Sequence, residues 1–334
     1  MSFSITYLDN DILLKNKIEE FISNWNDSSF FIETKTSGST GKPKSIQLSK
    51  AQMIASAKIT GEYFGLNEDQ TTLLCLSIDT IAGKMMLVRA IVHNMKILIT
   101  SPSSNPLKKI EERIDFIAIV PLQLDKMIEE SSIELKNIKN ILIGGASLPS
   151  PISDKLIKLN LTCFQSFGMT ETVSHIAIRK VGKNEELFYT TLPGIKLIQN
   201  PENELIITAP HLSIYELKTN DIIELLSENQ FVWKGRKDFV INSGGVKIFP
   251  EEVEKKISNL IDLPFFITSI PDVKLGEKLV LIIESDKLIN LYIDDFKSVL
   301  TKYELPKEIF YLRSFERTIS GKINRIKTKA LLTF

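Results

Sequence analysis

The chain has 334 residues, 43% of them hydrophobic and 25% charged, a folded-protein composition with more apolar mass than one ordinary core holds. Lys plus Arg and Asp plus Glu number 41 each, so no global field points to nucleic acid or an anionic membrane. No apolar run reaches bilayer length and no basic stretch precedes an apolar core, so neither stable membrane insertion nor a secretory signal is expected, and the expected compartment is the cytoplasm.

Residues 1–29 read as a short strand and a helix whose buried face would carry Ile12, Leu13, Ile18, Phe21 and Ile22. Phe30–Ile32 is a brief apolar strand leading into TSGSTGKPK, Thr36 to Lys44. Ser49 followed by Gln52 is a capping-box signature, opening a helix that runs to about Phe64 and stops at Gly65. Strands at Thr71–Ser77, Lys96–Thr100, Asp115–Val120, Asn140–Ile143 and Leu161–Gln165 then alternate with helices at Ala82–Asn94, from Pro121, and at Pro151–Leu159. The strands are apolar throughout, as in a sheet covered on both faces, and the α/β alternation predicts a mostly parallel sheet. Ligands of such sheets gather beyond the carboxyl ends of the strands. TSGSTGKPK, the turn Gly144-Gly145-Ala146 and SFGMTET (Ser166 to Thr172) could all line that edge.

From about Ser174 to Trp233 short alternating runs at Lys196–Ile198, Glu204–Thr208, Asp221–Leu226 and Phe231–Lys234 predict a β-rich subdomain. GRKDFVINSGGVKIFP, Gly235 to Pro250, precedes a helix with Pro250 in its first turn. Helix 251–259, strands near 263–270 and 278–284, helix 290–301 and strand 308–313 make a small α+β region that closes with TISGKINR, Thr318 to Arg325. The fold class is therefore α/β, with a large N-terminal domain (1–237) and a small C-terminal domain (238–334). Cys75 and Cys163 sit in apolar runs and read as buried thiols rather than a disulfide or metal site. His93, His175 and His211 show no metal-ligand spacing.

Glycines at 38 and 41 let backbone N–H groups turn toward a ligand, and the hydroxyls and lysines around them make an anion cradle. The ordinary nucleotide loop G-x-x-x-x-G-K-[ST] does not fit, because Pro43 follows Lys42 and the glycines are too close. A different phosphate chemistry is implied.

Four motifs, TSGSTGKPK, SFGMTET, GRKDFVINSGGVKIFPEEVE and ISGKINR, occur in the order and approximate spacing of the adenylate-forming acyl-CoA synthetases. The resemblance runs over nearly the whole chain from Thr34. It implies ATP, Mg²⁺ and coenzyme A as cofactors and a small carboxylic acid as substrate. In that family the first loop holds the β- and γ-phosphates. The matching residues here are Thr36, Ser37, Gly38, Ser39, Thr40, Gly41 and Lys44, with Gly144, Gly145 and Ala146 on a neighbouring turn. Thr170 and Glu171 match a phosphate-contacting threonine and a magnesium-ligating glutamate, a chemically apt ligand for a hard cation. Phe167 and Gly168 match the adenine-packing segment. Asp221 and Arg236 match the ribose contacts, although the family's Thr-Gly-Asp stands here as Thr219-Asn220-Asp221. Asn tolerates a left-handed turn there better than most residues. Asp238 matches a hinge about which the C-terminal domain is mobile, Gly244 and Gly245 the loop along which pantetheine enters, and Lys322 the lysine that touches the carboxylate and α-phosphate together.

Among subgroups, AGKMMLVRA, IVPLQL, ILIGGASL and FGMTETVSHIA resemble most the o-succinylbenzoate–CoA ligases of menaquinone biosynthesis, in shortened form. A second carboxylate on the substrate needs a cation, for which Arg89 and Lys84 are the candidates. At i and i+5 they point apart, and Arg is the better bidentate partner. His175 is a candidate donor to a keto group. Only 35 residues precede the phosphate loop, against roughly a hundred or more in the family, and Asp79-Thr80 replaces its aromatic-histidine pair. A smaller sheet, a more open pocket, or cover by a second copy in a homo-oligomer all stay open. So do a ligase for other aryl or short-chain acids, a non-catalytic nucleotide- or acyl-binding protein, and a hydrolase releasing ADP.

Overall fold

The computed structural model describes residues 3–35, 44–108, 110–318 and 322–332. The chain packs into two compact units.

Unit 1 comprises residues 1–148, 152–196 and 207–217. Its elements begin with β1 (Ser4–Tyr7), α1 (Ile12–Asn26), β2 (Phe31–Lys35), β3 (Ser45–Ser49), α2 (Lys50–Phe64), β4 (Thr71–Leu74), α3 (Ile81–Val92) and β5 (Lys96–Ile99). They continue with β6 (Ile114–Ile119), α4 (Pro121–Glu130), α5 (Ser132–Lys136), β7 (Ile138–Ile143), α6 (Ser150–Lys158), β8 (Thr162–Gly168), β9 (His175–Gly182) and β10 (Tyr189–Thr191). The main sheet runs β1-β5-β4-β6-β7-β8-β9-β10. Every pairing from β1 to β8 is parallel, and β9 and β10 then turn antiparallel.

The expected covering of both faces is what makes these strands apolar throughout. One face packs Leu73, Ile117, Ile141 and Ile143 on Leu124, Met127, Ile152 and Leu156 of the helices. On the other, Phe64 of α2 sits 5.1 Å from both Phe116 and Phe164. Cys75 and Cys163 are buried free thiols in this core, each pushed up to about 12 by burial. Gln123, inside IVPLQL, is a core polar group: it accepts from Val120 N–H and donates to the carbonyls of Cys75 and Ser103.

The capping box at Ser49 and Gln52 forms with both bonds, and Gly65 ends α2 in the left-handed region at φ 64°. On α1 the buried residues are Leu14, Ile18 and Phe21, whereas Ile12 and Leu13 are exposed. Asp11 caps the helix by accepting from Leu14 N–H, and that start rotates the first turn so that Leu14 faces inward.

Unit 2 comprises residues 149–151, 197–206 and 218–334. Strands β11 (Lys196–Gln199), β12 (Glu204–Ala209), β13 (Ile214–Ser227) and β14 (Gln230–Arg236), of which residues 196, 207–209 and 214–217 fall to unit 1, pair in the order β14-β13-β12-β11. A second sheet, β16-β15-β18-β17 with β19 beside β18, is formed by β15 (Ile241–Ser243), β16 (Val246–Ile248), β17 (Phe265–Asp272), β18 (Gly276–Glu284) and β19 (Glu308–Leu312). Helix α7 (Pro250–Ile257) packs its Val253 and Ile257 into this sheet's core, with Pro250 at the first turn as expected, and α8 (Arg325–Lys329) closes the chain.

The expected helix 290–301 is instead a single 3₁₀ turn, Ile293–Phe296, followed by irregular chain. Its apolar spacing is satisfied, since Phe296 and Leu300 are buried. Asp295 and Glu304, however, spend their carboxylates on the backbone N–H groups of Tyr292 and Thr301. The first of these is a capping-box contact, the signature of a helix start, but the helix goes no further than one 3₁₀ turn.

Candidate functional site

At the carboxyl end of the parallel strands, β7 runs out into Gly144-Gly145-Ala146 and β8 into Gly168. Gly144 N–H donates to the Ile119 carbonyl, and Ser166 Oγ donates to the Ile143 carbonyl. A Cβ on Gly144 would meet Ser166 Oγ at 3.0 Å, and Gly145 has φ 87°. Both turns stand at the predicted edge. The stretch Thr36, Ser37, Gly38, Ser39, Thr40 and Gly41 lies outside the described residues; β2 and β3, which flank it, pair antiparallel from Phe31↔Ser49 to Lys35↔Ser45. Lys44 is exposed just ahead of β3.

After Gly168 the chain makes one 3₁₀ turn, Thr170–Thr172, with Thr170 and Thr172 buried and Glu171 exposed. Val173 then takes φ 67°, ψ −54°, and Ser174 N–H donates to the Thr172 carbonyl at 2.7 Å. This is the γ-turn of positive φ, rare and costly for a β-branched residue. Surroundings over-determine it. Val173 is fully buried, and Thr172 Oγ1 accepts from Met169 N–H and reaches the carbonyls of Met169 and Ser174. Such strain clusters at functional sites. The Phe167 ring lies half-buried, 5.8 Å from that of Tyr189.

The turn delivers Ser174 and His175 to a buried polar chain. Arg89, 2% exposed within α3, donates through Nη2 to Ser174 Oγ at 2.7 Å. Ser174 Oγ lies 3.2 Å from His175 Nδ1, and His175 Nε2 lies 3.3 Å from Thr60 Oγ1. Thr60 in turn donates to the Ser56 carbonyl at 2.9 Å. Donor bookkeeping assigns the proton of a neutral His175 to Nε2, leaving Nδ1 to accept from Ser174. Burial, with Arg89 beside it, holds the imidazole well below its ordinary value. Arg89 itself has an orphan Nε, its other neighbours being Met86 Sδ at 3.8 Å and the Phe116 ring at 5.9 Å. Burial lowers it to about 10, and among the described residues no carboxylate pairs with it. Lys84 points elsewhere, donating to the Ile78 carbonyl and lying over Phe21.

In unit 2, β13 and β14 place Asp221 opposite Arg236 in register. Asp221 is buried, accepts from Trp233 Nε1 at 2.8 Å, and lies 3.9 Å from Arg236 Nη1. Burial raises its carboxyl above the usual range against the pull of Trp233 and Arg236. Arg236 also forks onto Asp238, whose other oxygen accepts from Asn220. Asn220 lies in an extended strand and is not among the positive-φ residues. The expected left-handed turn at Thr219-Asn220-Asp221 is therefore absent, because strand pairing, not a turn, presents Asp221.

Lys322 is half-buried in the same unit. Burial and Arg236 lower its ammonium, opposed by Asp221. Gly244 (φ 58°) and Gly245 (φ 81°) are the two central residues of a tight hairpin between Ser243 and Val246, a turn that demands positive φ twice.

The structure thus brings Arg89 and His175 together, and separately Asp221, Arg236, Asp238 and Lys322. Ser174 lies within FGMTETVSHIA without being singled out there, and Thr60 and Trp233 had no motif to mark them. They become visible once register and helix facing are known.

The sequence pattern of the family described as "AMP-binding enzyme" matches residues 29–201, just over half of the chain. A curated 2-succinylbenzoate–CoA ligase of Bacillus cereus is 25% identical, over 89% of this chain and 69% of its own length. Among solved structures, an acyl-CoA synthetase (AMP-forming)/AMP-acid ligase II-like protein from Dyadobacter fermentans is 35% identical with a TM-score of 0.64, over 96% of this chain and 95% of that one. The O-succinylbenzoate coenzyme A synthetase of Bacillus subtilis, solved with ATP and magnesium ion, is 25% identical with a TM-score of 0.76, over 89% and 69%. By its matched sequence and its fold, the chain belongs to the AMP-binding enzyme family.

Proposed function

We propose that this protein is an AMP-forming acid–CoA ligase acting on o-succinylbenzoate, with ATP, Mg²⁺ and coenzyme A, in menaquinone biosynthesis. Relatives named for that reaction support the class. The observation that carries the substrate is Arg89, a buried guanidinium with an orphan Nε and no carboxylate partner among the described residues. A buried unpaired charge is costly, and a bound second carboxylate would relieve it. Ser174 orients the guanidinium. Both ring nitrogens of His175 are engaged by Ser174 and Thr60, which gives His175 a supporting place rather than that of a keto donor.

In the first half-reaction the substrate carboxylate attacks the α-phosphate, giving acyl-AMP and releasing pyrophosphate. In the second, the CoA thiolate attacks the acyl carbon and AMP leaves. Thr170, the 36–44 loop and Lys44 are assigned to the phosphates, Gly144–Ala146, Phe167 and Gly168 to the adenine edge, and Asp221 and Arg236 to the ribose. Asp238 is the pivot, Gly244 and Gly245 the pantetheine path. Lys322 is the cation for charge that develops in the first step. Glu171 fits Mg²⁺, being an exposed carboxylate; that ion takes one or two protein carboxylates and fills its shell from phosphates and water. Bound there it would neutralise phosphate charge.

A panel of aryl and aliphatic acids, scored by AMP release with ATP and CoA, tests this reading. o-Succinylbenzoate should be preferred, and Arg89→Lys should raise its KM about tenfold or more while leaving monocarboxylic acids little changed. Preference for a monocarboxylate, or release of ADP, would sink it.

A further inference from the structure

Lys322 stands on one side of a short antiparallel pairing. Arg317 bridges Ile323, Thr318 N–H donates to the Lys322 carbonyl at 2.8 Å, and Lys322 N–H donates to Thr318 Oγ1 at 3.2 Å. Arg317 is also ion-paired with Glu284, and Ile323 packs on the cluster of Phe266, Val280, Ile282 and Phe315, which ties both sides to β17 and β18. Asn324 follows, its N–H reaching the Glu316 carbonyl at 2.7 Å and its side chain capping α8. Arg325 comes next.

Its guanidinium is forked onto Glu254 of α7, with Nη1 to Oε1 at 2.8 Å and Nη2 to Oε2 at 2.7 Å. Glu254 Oε1 also accepts from Ile267 N–H of β17. The cation lies 5.2 Å from the Phe239 ring and 5.7 Å from the Phe266 ring. Glu251 stands 4.0 Å away. Phe239 ends the 3₁₀ turn Lys237–Phe239 that directly follows Arg236. One side chain therefore ties the Lys322 hairpin to α7, to β17 and to the turn after Arg236. A bidentate, ring-flanked fork of this kind fixes orientation as well as distance.

We propose that Arg325 is the positioning residue for Lys322, setting the depth of its ammonium beside Asp221 and Arg236 through the Glu254 fork and the Phe239 face. The proposal rests on Lys322 being the adenylating cation, and it concerns how that cation is held. A staple that merely stabilises unit 2 would affect every activity of the chain alike. A positioning residue should affect only what Lys322 does.

Two readouts on the full chain separate these. The first needs no substrate: competitive acetylation of Lys322 by acetic anhydride across pH, read by mass spectrometry. In the native protein the amine should titrate below an ordinary lysine, and Arg325→Lys should return it toward the ordinary range. The second is the half-reactions. Arg325→Lys should lower ATP–pyrophosphate exchange about a hundredfold, the loss expected of a displacement near 1 Å, and leave thioester formation from supplied acyl-adenylate within about threefold. In a Lys322→Ala background the same change should cost nothing further, as a double-mutant cycle requires of a residue acting through another. If Arg325→Lys does not fold, Phe239→Leu keeps the fork, removes one ring, and should move both readouts in the same direction by less.

An unchanged Lys322 titration, a parallel loss of both half-reactions, or additive costs in the double variant would overturn the proposal. Absence of exchange with every acid in the native protein would refute the ligase reading alone, since the acetylation profile still decides the positioning.

Discussion

Burial and charge oppose each other at Glu251. Its Oε2 has no hydrogen-bond partner, and a Cβ on Gly235 would come within 2.5 Å of that oxygen. Burial, assisted by Glu254, pushes the carboxyl up to about 7 against the pull of Arg325. Glu254 is raised too, since desolvation outweighs even its fork with Arg325. The folded state therefore keeps a proton on Glu251 over a range in which the unfolded chain has lost it. Stability contributed there is full below the ordinary value near 4.5 and is lost as pH rises toward 7. The span of the shift bounds the loss at ~3 kcal/mol. Glu251→Gln keeps the shape without the charge, so it should gain on the native protein between pH 5 and pH 8 in urea unfolding at fixed pH. Parallel stability curves for the two proteins would refute this. None of this was legible in the sequence, where Pro250 marks only the first turn of a helix. Only the packing of β14 against α7 puts Glu251 against a glycine.

At the scale of elements, the hairpin from Ser166 to His175 shows how local sequence and tertiary packing divide the work. SFGMTET was recognisable as a motif, and β8 delivers it to the strand edge as predicted. The strain at Val173 was not readable, because nothing about a valine in sequence predicts positive φ. It arises where β8 and β9 slip register between Phe167 and Gly168. Gly168 is the hinge of that closeness: an added Cβ would meet the Ser174 carbonyl oxygen at 2.3 Å and His175 Cα at 2.6 Å. Both obstacles are backbone, so the hairpin itself would have to move. Gly168→Ala should cost about 1–3 kcal/mol of stability together with activity, as Ser174 is drawn off Arg89. Gly65→Ala is the control, with φ 64° and nothing within 4 Å of the new methyl. It should cost about 1–2 kcal/mol and leave activity intact. Denaturant midpoints and AMP release measured together distinguish the two, and a stable, fully active Gly168→Ala would refute the argument. The misread helix at 290–301 belongs to this scale as well. Its apolar period was real and is used for burial by Phe296 and Leu300, although only one 3₁₀ turn forms.

For the whole molecule, the ligase reading requires two steps with different demands, and the chain assigns its groups to two separately packed units. Lys322→Ala should abolish most acyl-adenylate formation, by about a hundredfold or more, while supplied acyl-adenylate is still converted to thioester. Equal loss of both would remove Lys322 from its role. Among the described residues no helix is long and apolar enough to cross a membrane. Much of this architecture was accessible to reading in order. Uninterrupted apolar runs between amphipathic segments dictate a covered parallel sheet, the Ser49–Gln52 box and Gly65 set a helix to the residue, and four spaced motifs carry the family. Those features rest on local chemistry, since capping, turn geometry and periodicity involve neighbours within a few positions. Tertiary structure alone decided that Arg89 has no counter-ion among the described residues, that Asn220 extends rather than turns, that Trp233 holds Asp221, and that Arg325 reaches Glu254 across seventy-one positions. Each depends on which distant groups a fold leaves beside one buried charge, and the energy of that charge is set by its surroundings rather than by its identity.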